Sequence, residues 1–317
     1  MPTGPVDDAA WREHPPAGDP PVELGRDMRL TTGLAGREAE RIMDACEPRG
    51  ENFKPARQFG CRYAFVRDLP AAAYEQHYTH WDHDQVLLAG FTLSRLVLDN
   101  AYSTEYAARI VEFSDGRVQI SPGPVNLEGA LAYRAHSGRD WLDADEARQL
   151  AALLAAFWER EGSLPERVSN AIWLAEQSAR RKYDFDALMT VIAGLEALLN
   201  TGPRQNTKQF VMRVPRLAAG GGVSGISQGM ARRLYNRRSE PAHGRRLTLI
   251  PTPQPGVPAP QHAEQMAAAL RELALLQDVL RAAVRRCIED PDFSAHFADD
   301  EGVRAQWPVN DGDGNPL

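Results

Sequence analysis

The sequence predicts a mainly α protein, a C-terminal helical bundle preceded by a smaller α+β region. Three observations carry this. From residue 143 onward apolar residues recur at helical spacing in one segment after another, separated by Gly, Pro and Asn. Before about residue 135, short aromatic and β-branched runs alternate with helical patterns. A chain of 317 residues also exceeds a typical single domain. The expected organisation is a flexible lead at 1–21, an α+β domain at 22–140, a helical domain at 141–289 and an acidic, Gly- and Pro-rich flexible tail at 290–317.

Residues 22–60 are mixed, with a short helix expected at 37–47 before Pro48 and Gly50. The run 60–67 (GCRYAFVR) reads as a strand, and 71–100 holds two helical patterns, the second marked by Val86, Leu87, Phe91, Leu93, Leu96 and Val97. Segments 106–113 and 117–120 pair across Gly116 as strands and stop at Pro122 and Pro124. Asp143 or Asp145 caps the next helix, to about residue 161, with Leu150, Leu153, Leu154, Phe157 and Trp158 on its apolar side. Gly162 and Pro165 break it. Helices follow at 166–181 and at 184–199, the latter opened by Asp184 or Asp186 and closed by Asn200, Gly202 and Pro203. A fourth spans 208–217, shortened by Pro215, and Gly220, Gly221 and Gly222 form a loop. A fifth runs over 227–240, up to the residue before Pro241, where α conformation is disfavoured. The run 251–260 (PTPQPGVPAP) is a loop, and 262–289 is a long helix lined by Leu270, Leu273, Leu276, Val279, Leu280 and Val284.

The net charge of −7 argues against a generally basic nucleic-acid coat, so any RNA contact has to be local. Cys46, Cys61 and Cys287 are too few and too widely spaced for a disulfide framework or thiolate zinc site, which fits a reducing cytosol and a cytoplasmic location. No apolar run approaches the ~20 residues that span a bilayer, so no membrane partner is expected.

One stretch, 234–244 (LYNRRSEPAHG), stands apart. It sits among Arg232, Arg233, Arg237, Arg238, Arg245 and Arg246, against the single acid Glu240, a local charge of about +5. Arg238 is followed after four residues by His243, whose imidazole can exchange protons near neutral pH. Attack of an RNA 2′-OH on its phosphate needs a base, an acid and a donor to the phosphoryl oxygens. His243 supplies a proton-transfer group and Arg238 a bidentate clamp. On an unbroken helix the two lie about 140° apart. Either Pro241 turns the His back, or each residue meets its partner from a second chain. The plain alternative is that arginines end a helix favourably against its dipole and that His243 and Gly244 simply stop it.

Three pieces occur in order: Tyr183, Phe185 and Leu188 leading to AGLEALL at 193–199; Phe210-x-x-Arg213; and Leu234-Tyr235-x-x-Arg238-Ser239 followed by His243-Gly244. Together, over about 167–285, they resemble the HEPN superfamily (higher eukaryotes and prokaryotes nucleotide-binding), and within it the Apea-like HEPN group. The resemblance implies an α-helical bundle, often a homodimer, and in many members a metal-independent endoribonuclease whose Arg-x4–6-His motifs meet across the dimer. On this chain the motif residues are Arg238 and His243. Ser239, Tyr235, Glu196 and Arg213 would support them, and Arg232, Arg233, Arg237, Arg245 and Arg246 would hold the nucleic acid. No cofactor and no metal are implied. Ser239 stands where nucleolytic members prefer Asn, Asp or His, and Pro241 where a helix-compatible residue is usual. Kinship of this sort implies stress or anti-phage defence. The N-terminal half lies outside the resemblance, and the separate expectation for it is that it recognises a target or a protein partner.

Glu196 lies among Ile192, Leu195, Leu198 and Leu199, so it either faces solvent or needs a partner, for which Arg213, Arg238 and Tyr235 are the candidates. His77, His80 and His83, with Glu75, Asp82 and Asp84, include metal-ligand types, but on a helix the histidines spread over about 120°, and the interleaved Tyr74, Tyr78 and Trp81 suit packing better. Arg180, Arg181 and Lys182 read as a solvated helix end. The triple glycine lacks the Lys and Ser/Thr of a phosphate-binding loop. Three functions follow: an RNA-cleaving dimer, an RNA- or nucleotide-binding module without chemistry, and a bundle serving dimerisation alone. A buried Arg238–Glu196 pair with no cleft would favour the last.

Overall fold

The computed structural model describes residues 21–32, 63–67, 79–98, 108–112, 118–122, 142–180, 184–202, 205–239 and 258–310. The chain divides into two compact units, Met1–Ala155 and Ala156–Leu317. Helices dominate, with a small three-stranded sheet near the N-terminus, so the protein is mainly α with a smaller α+β N-terminal part.

In the first unit, β1 (Val22–Gly25), β2 (Met28–Thr32) and β3 (Tyr63–Arg67) form an antiparallel sheet in that order. Leu24, Met28 and Leu30 are buried, the alternation expected of a sheet with one covered face. The turn between β1 and β2 uses Arg26 (φ 50) and Asp27 (φ 58), both in the left-handed region. That primed geometry matches strand twist but normally selects Asn or Gly, which is why the hairpin is invisible in the sequence. Helix α1 (Thr79–Val97) packs on this sheet, with Phe91 against Phe65 at 4.8 Å between ring centroids. The expected helix at 37–47 lies outside the described residues. Strands β4 (Ala108–Glu112) and β5 (Val118–Pro122) pair antiparallel as expected, Pro122 standing opposite Ala108 at the end of the ladder. Helix α2 (Ala144–Arg160) opens on Asp143, whose carboxylate accepts from the amides of Asp145 and Glu146 at 2.9 Å, while the Glu146 carboxylate accepts the Asp143 amide at 2.8 Å. This reciprocal cap satisfies N–H groups that the first turn would otherwise leave unpaired.

The second unit is a bundle of α3 (Glu166–Arg180), α4 (Asp184–Leu199), α5 (Asn206–Gly220), α6 (Gln228–Ser239) and α7 (Ala259–Glu289). Leu195, Leu198, Leu199, Leu234 and Leu276 are all fully buried in it, as the periodicity requires. Helix α4 is the central element. At Gly194 a Cβ would stand 2.6 Å from a Leu280 methyl and 3.3 Å from Leu174 Cβ, so only hydrogen fits where α3, α4 and α7 meet.

Three expectations are corrected. Pro215 does not shorten α5; the helix continues through it to Gly220, giving up one backbone hydrogen bond inside a well-buried helix. The triple glycine is the end of that helix rather than a free loop. Gly222 takes φ +74, and the amides of Gly222 and Val223 reach back to the carbonyls of Ala219 (3.3 Å) and Ala218 (2.9 Å), the 5→2 and 6→1 bonds of a Schellman ending. Gly222→Ala puts a Cβ into a left-handed position and should cost about 1–2 kcal/mol, visible as a lower urea midpoint. An unchanged midpoint would refute the strain.

The third correction concerns the C-terminus. The described part of the expected flexible tail, 290–310, is folded into α8 (Pro291–Ala295) and α9 (Asp300–Gln306), capped by Asp290 and Asp299. Phe293, Phe297, Val303, Trp307 and Val309 are buried. The segment is held by arginines of the bundle. Arg213 Nε donates to Trp307 O at 2.9 Å, Arg216 to Pro308 O at 2.8 Å, Arg167 pairs with Asp300, and Arg286 lies 4.0 Å over the Phe293 ring. In return Arg304 donates to Thr201 O at 2.7 Å. Acidic and Gly/Pro content suggested fraying, but the aromatic side chains outweigh it by burying large apolar areas.

Candidate functional site

The candidate site is built where α6 crosses α4. On α6 the residues divide by helical angle. Met230, Ala231, Leu234 and Tyr235 are buried, whereas Arg232, Arg233 and Asn236 are exposed and Arg237 is half-buried. The helix therefore presents a basic outer side. Arg233 is engaged there with Glu272 of α7 at 2.5 Å. Arg238 lies on the inner side, one turn after Tyr235, and turns toward α4.

Glu196 of α4 is the hub. Tyr235 Oη donates to its Oε1 at 2.8 Å, Asn200 Nδ2 donates to the same oxygen at 3.2 Å, and Arg238 Nη1 pairs with Oε2. Arg238 Nη1 also lies 3.2 Å from Tyr235 Oη, and its guanidinium carbon is 5.3 Å from the centre of the Tyr235 ring. The Tyr235 ring rests on Phe210 of α5, with centroids 4.9 Å apart. Burial, then the hydrogen bond to Glu196 and that carboxylate's charge, push the Tyr235 phenol up to about 12, against the opposing pull of Arg238 and Thr207. At neutral pH Tyr235 is thus protonated and serves as a donor. Glu196 keeps 13 % of its side chain accessible and Arg238 35 %. This is a half-open ion pair, which salt and solvent weaken and an incoming anion can contest.

Of the residues singled out in the sequence, Glu196, Tyr235 and Arg238 come together. Two of the three candidate partners of Glu196 are its partners. Arg213 has another position. It is fully buried, and its Nη1 donates to Leu199 O at 2.6 Å, Gln209 Oε1 at 2.6 Å and Thr201 Oγ1 at 3.1 Å. With Arg167, which donates to Asn200 O at 2.6 Å, it supplies the donors that the last carbonyls of α4 lack. Burial, reinforced by Arg304, lowers the Arg213 guanidinium to about 10, leaving it charged at neutral pH. Ser239 ends α6. Its side chain, and His243, Arg245 and Arg246, lie outside the described residues. The same holds for His77 and for the side chains of His80 and His83. Among the described residues no group of three His, Cys, Asp or Glu is placed to hold a metal ion. Likewise, no described helix is long and apolar enough to cross a membrane.

Phe210, the first residue of the Phe210-x-x-Arg213 piece, joins the cluster beneath Tyr235, and Asn200 joins it without having been named as a site residue. Asn200 follows Glu196 by four residues, a spacing that brings side chains together on a helix, so that signal was present. Comparison with family models, with curated proteins and with solved structures gave no match.

Proposed function

We propose that this chain is an RNA-binding protein of the HEPN type, active as a homodimer, in which Arg238 and His243 act on one phosphate and cleave RNA by metal-independent attack of the 2′-OH. One observation carries the reading. Arg238, the motif arginine, stands half-open beside Tyr235 and Glu196, on the same short helix whose outer side bears Arg232, Arg233 and Arg237. A phosphodiester chain would lie along that side, neutralised by the outer arginines, and meet Arg238 at the end of the helix. His243, four residues beyond Ser239, would move the proton. A second chain would supply the second His that a concerted acid–base step needs. The resemblance to HEPN proteins implies stress or phage defence as the setting.

A bundle serving dimerisation alone is the second reading, and the Arg238–Glu196 pair favours it, because a compensated arginine attracts phosphate less strongly than a free one.

The test is titration of a fluorescent single-stranded RNA in EDTA at several salt concentrations. Arg232→Ala with Arg237→Ala should weaken binding. It should also reduce the slope of log K against log salt by about 0.7 for each phosphate that the protein no longer neutralises. Equal affinity and equal slope in the double variant would remove the outer side of α6 from the RNA path.

A further inference from the structure

We infer that Glu196 and Tyr235 are positioning residues that hold the Arg238 guanidinium in one orientation, leaving its Nε/Nη2 edge for an incoming phosphate oxyanion. The inference rests on the reading of Arg238 as the phosphate-contacting group and names what orients it. Nη1 carries two hydrogens, both in the guanidinium plane. Two acceptors receive them, Glu196 Oε2 and Tyr235 Oη, the latter at 3.2 Å. Two in-plane bonds from one nitrogen fix the plane as well as the position. The acceptors are themselves tied together at 2.8 Å, and Glu196 is steadied by Asn200 at 3.2 Å. Tyr235 is buried against Phe210, which is fully buried. A rigid path therefore leads from the core to a side chain that still keeps 35 % of its surface.

Nε–H and the two hydrogens of Nη2 remain. Among the described residues they make no hydrogen bond. That edge presents two parallel donors, the fork that matches two oxygens of one phosphate. Orientation settled in advance also spares the ordering of a long, rotamer-rich side chain on binding.

Simple electrostatics predicts the opposite role. A carboxylate beside the arginine repels an anion, so removing its charge should strengthen phosphate binding. Positioning predicts that removing it weakens binding. The sign of one substitution separates the two.

The experiment uses the full chain labelled with ¹⁵N-arginine and inorganic phosphate as the probe. The Nε–Hε signal of Arg238 is identified by its loss in Arg238→Lys. In the parent protein that signal should lie apart from those of solvated arginines and shift saturably with phosphate. In Glu196→Gln, nearly the same shape without the charge, it should move among the solvated arginines, and phosphate affinity should fall about tenfold. Tyr235→Phe keeps the packing on Phe210 and loses one acceptor, so affinity should fall about two- to tenfold. Unchanged or higher affinity in a folded Glu196→Gln protein would overturn the inference. So would a parent Arg238 signal that ignores phosphate. If Glu196→Gln does not fold, Tyr235→Phe decides by the same criteria. Phosphate binding at Arg238 that depends on Glu196, in a protein that does not bind RNA, would refute the RNA reading alone. RNA binding that needs Arg238 yet is indifferent to both Glu196→Gln and Tyr235→Phe would refute the positioning alone.

Discussion

Arg213→Ala should destabilise the bundle by about 3–5 kcal/mol, more than any surface change in this chain. The side chain is fully buried and joins four acceptors: Leu199 O, Thr201 Oγ1, Gln209 Oε1 and Trp307 O. Truncation leaves two backbone carbonyls unsatisfied at roughly 1–3 kcal/mol each and opens a cavity among α4, α5 and the C-terminal segment. Arg213→Met separates the parts, since it restores volume and supplies no donors, and it should lie between the parent and Arg213→Ala. Guanidinium denaturation of the three proteins measures this. A loss below about 1 kcal/mol for Arg213→Ala would mean that its hydrogen bonds only offset the cost of burying the charge.

If the proposed cleavage holds, His243→Ala should abolish it while leaving RNA binding nearly intact, because the imidazole would move protons rather than hold the chain. Losing such a group typically costs ~10²–10⁴ in rate. Arg238→Ala should weaken both binding and cleavage. Arg238→Lys should restore only part, since an ammonium cannot reproduce the fork that the Nε/Nη2 edge offers. Products of the parent protein in EDTA should carry 2′,3′-cyclic phosphate, and deoxy substrates should be inert. Cleavage at the parental rate by His243→Ala would leave the binding-module reading standing in its place.

The long helices were legible because burial and local capping agree in them. Asp143 sits before the first apolar turn of α2 and caps it, and the apolar positions of α4 and α7 are the buried ones. The β1–β2 hairpin was not legible, because its turn asks Arg26 and Asp27 to take a conformation their side chains do not advertise. The order in 290–310 was not legible either. What holds Phe293 and Trp307 are arginines of α5 and α7, and a side chain's partner nearly a hundred residues away, as Arg213 is from Trp307, leaves no local pattern. The candidate site was half legible. An acid inside the apolar run 195–199 left two readings for Glu196, a solvent face or a donor partner, and the spacing of Tyr235 and Arg238 put both on one side of α6. The choice among Arg213, Arg238 and Tyr235 depended on how α4, α5 and α6 cross, which no single-helix pattern contains.

The missing Cβ at Gly194 carries a consequence for how such a chain can change over generations. A Leu280 methyl occupies the space an alanine would need, and Leu174 closes the other side. Positions 174, 194 and 280 are therefore one joint shared by α3, α4 and α7, and a larger residue at one requires a smaller one at another. Since Glu196 lies only two residues further along α4, sliding that joint would also slide the acid away from Arg238. Drift at three apolar positions with no chemistry of their own is in this way constrained by the alignment of a charged pair they never touch.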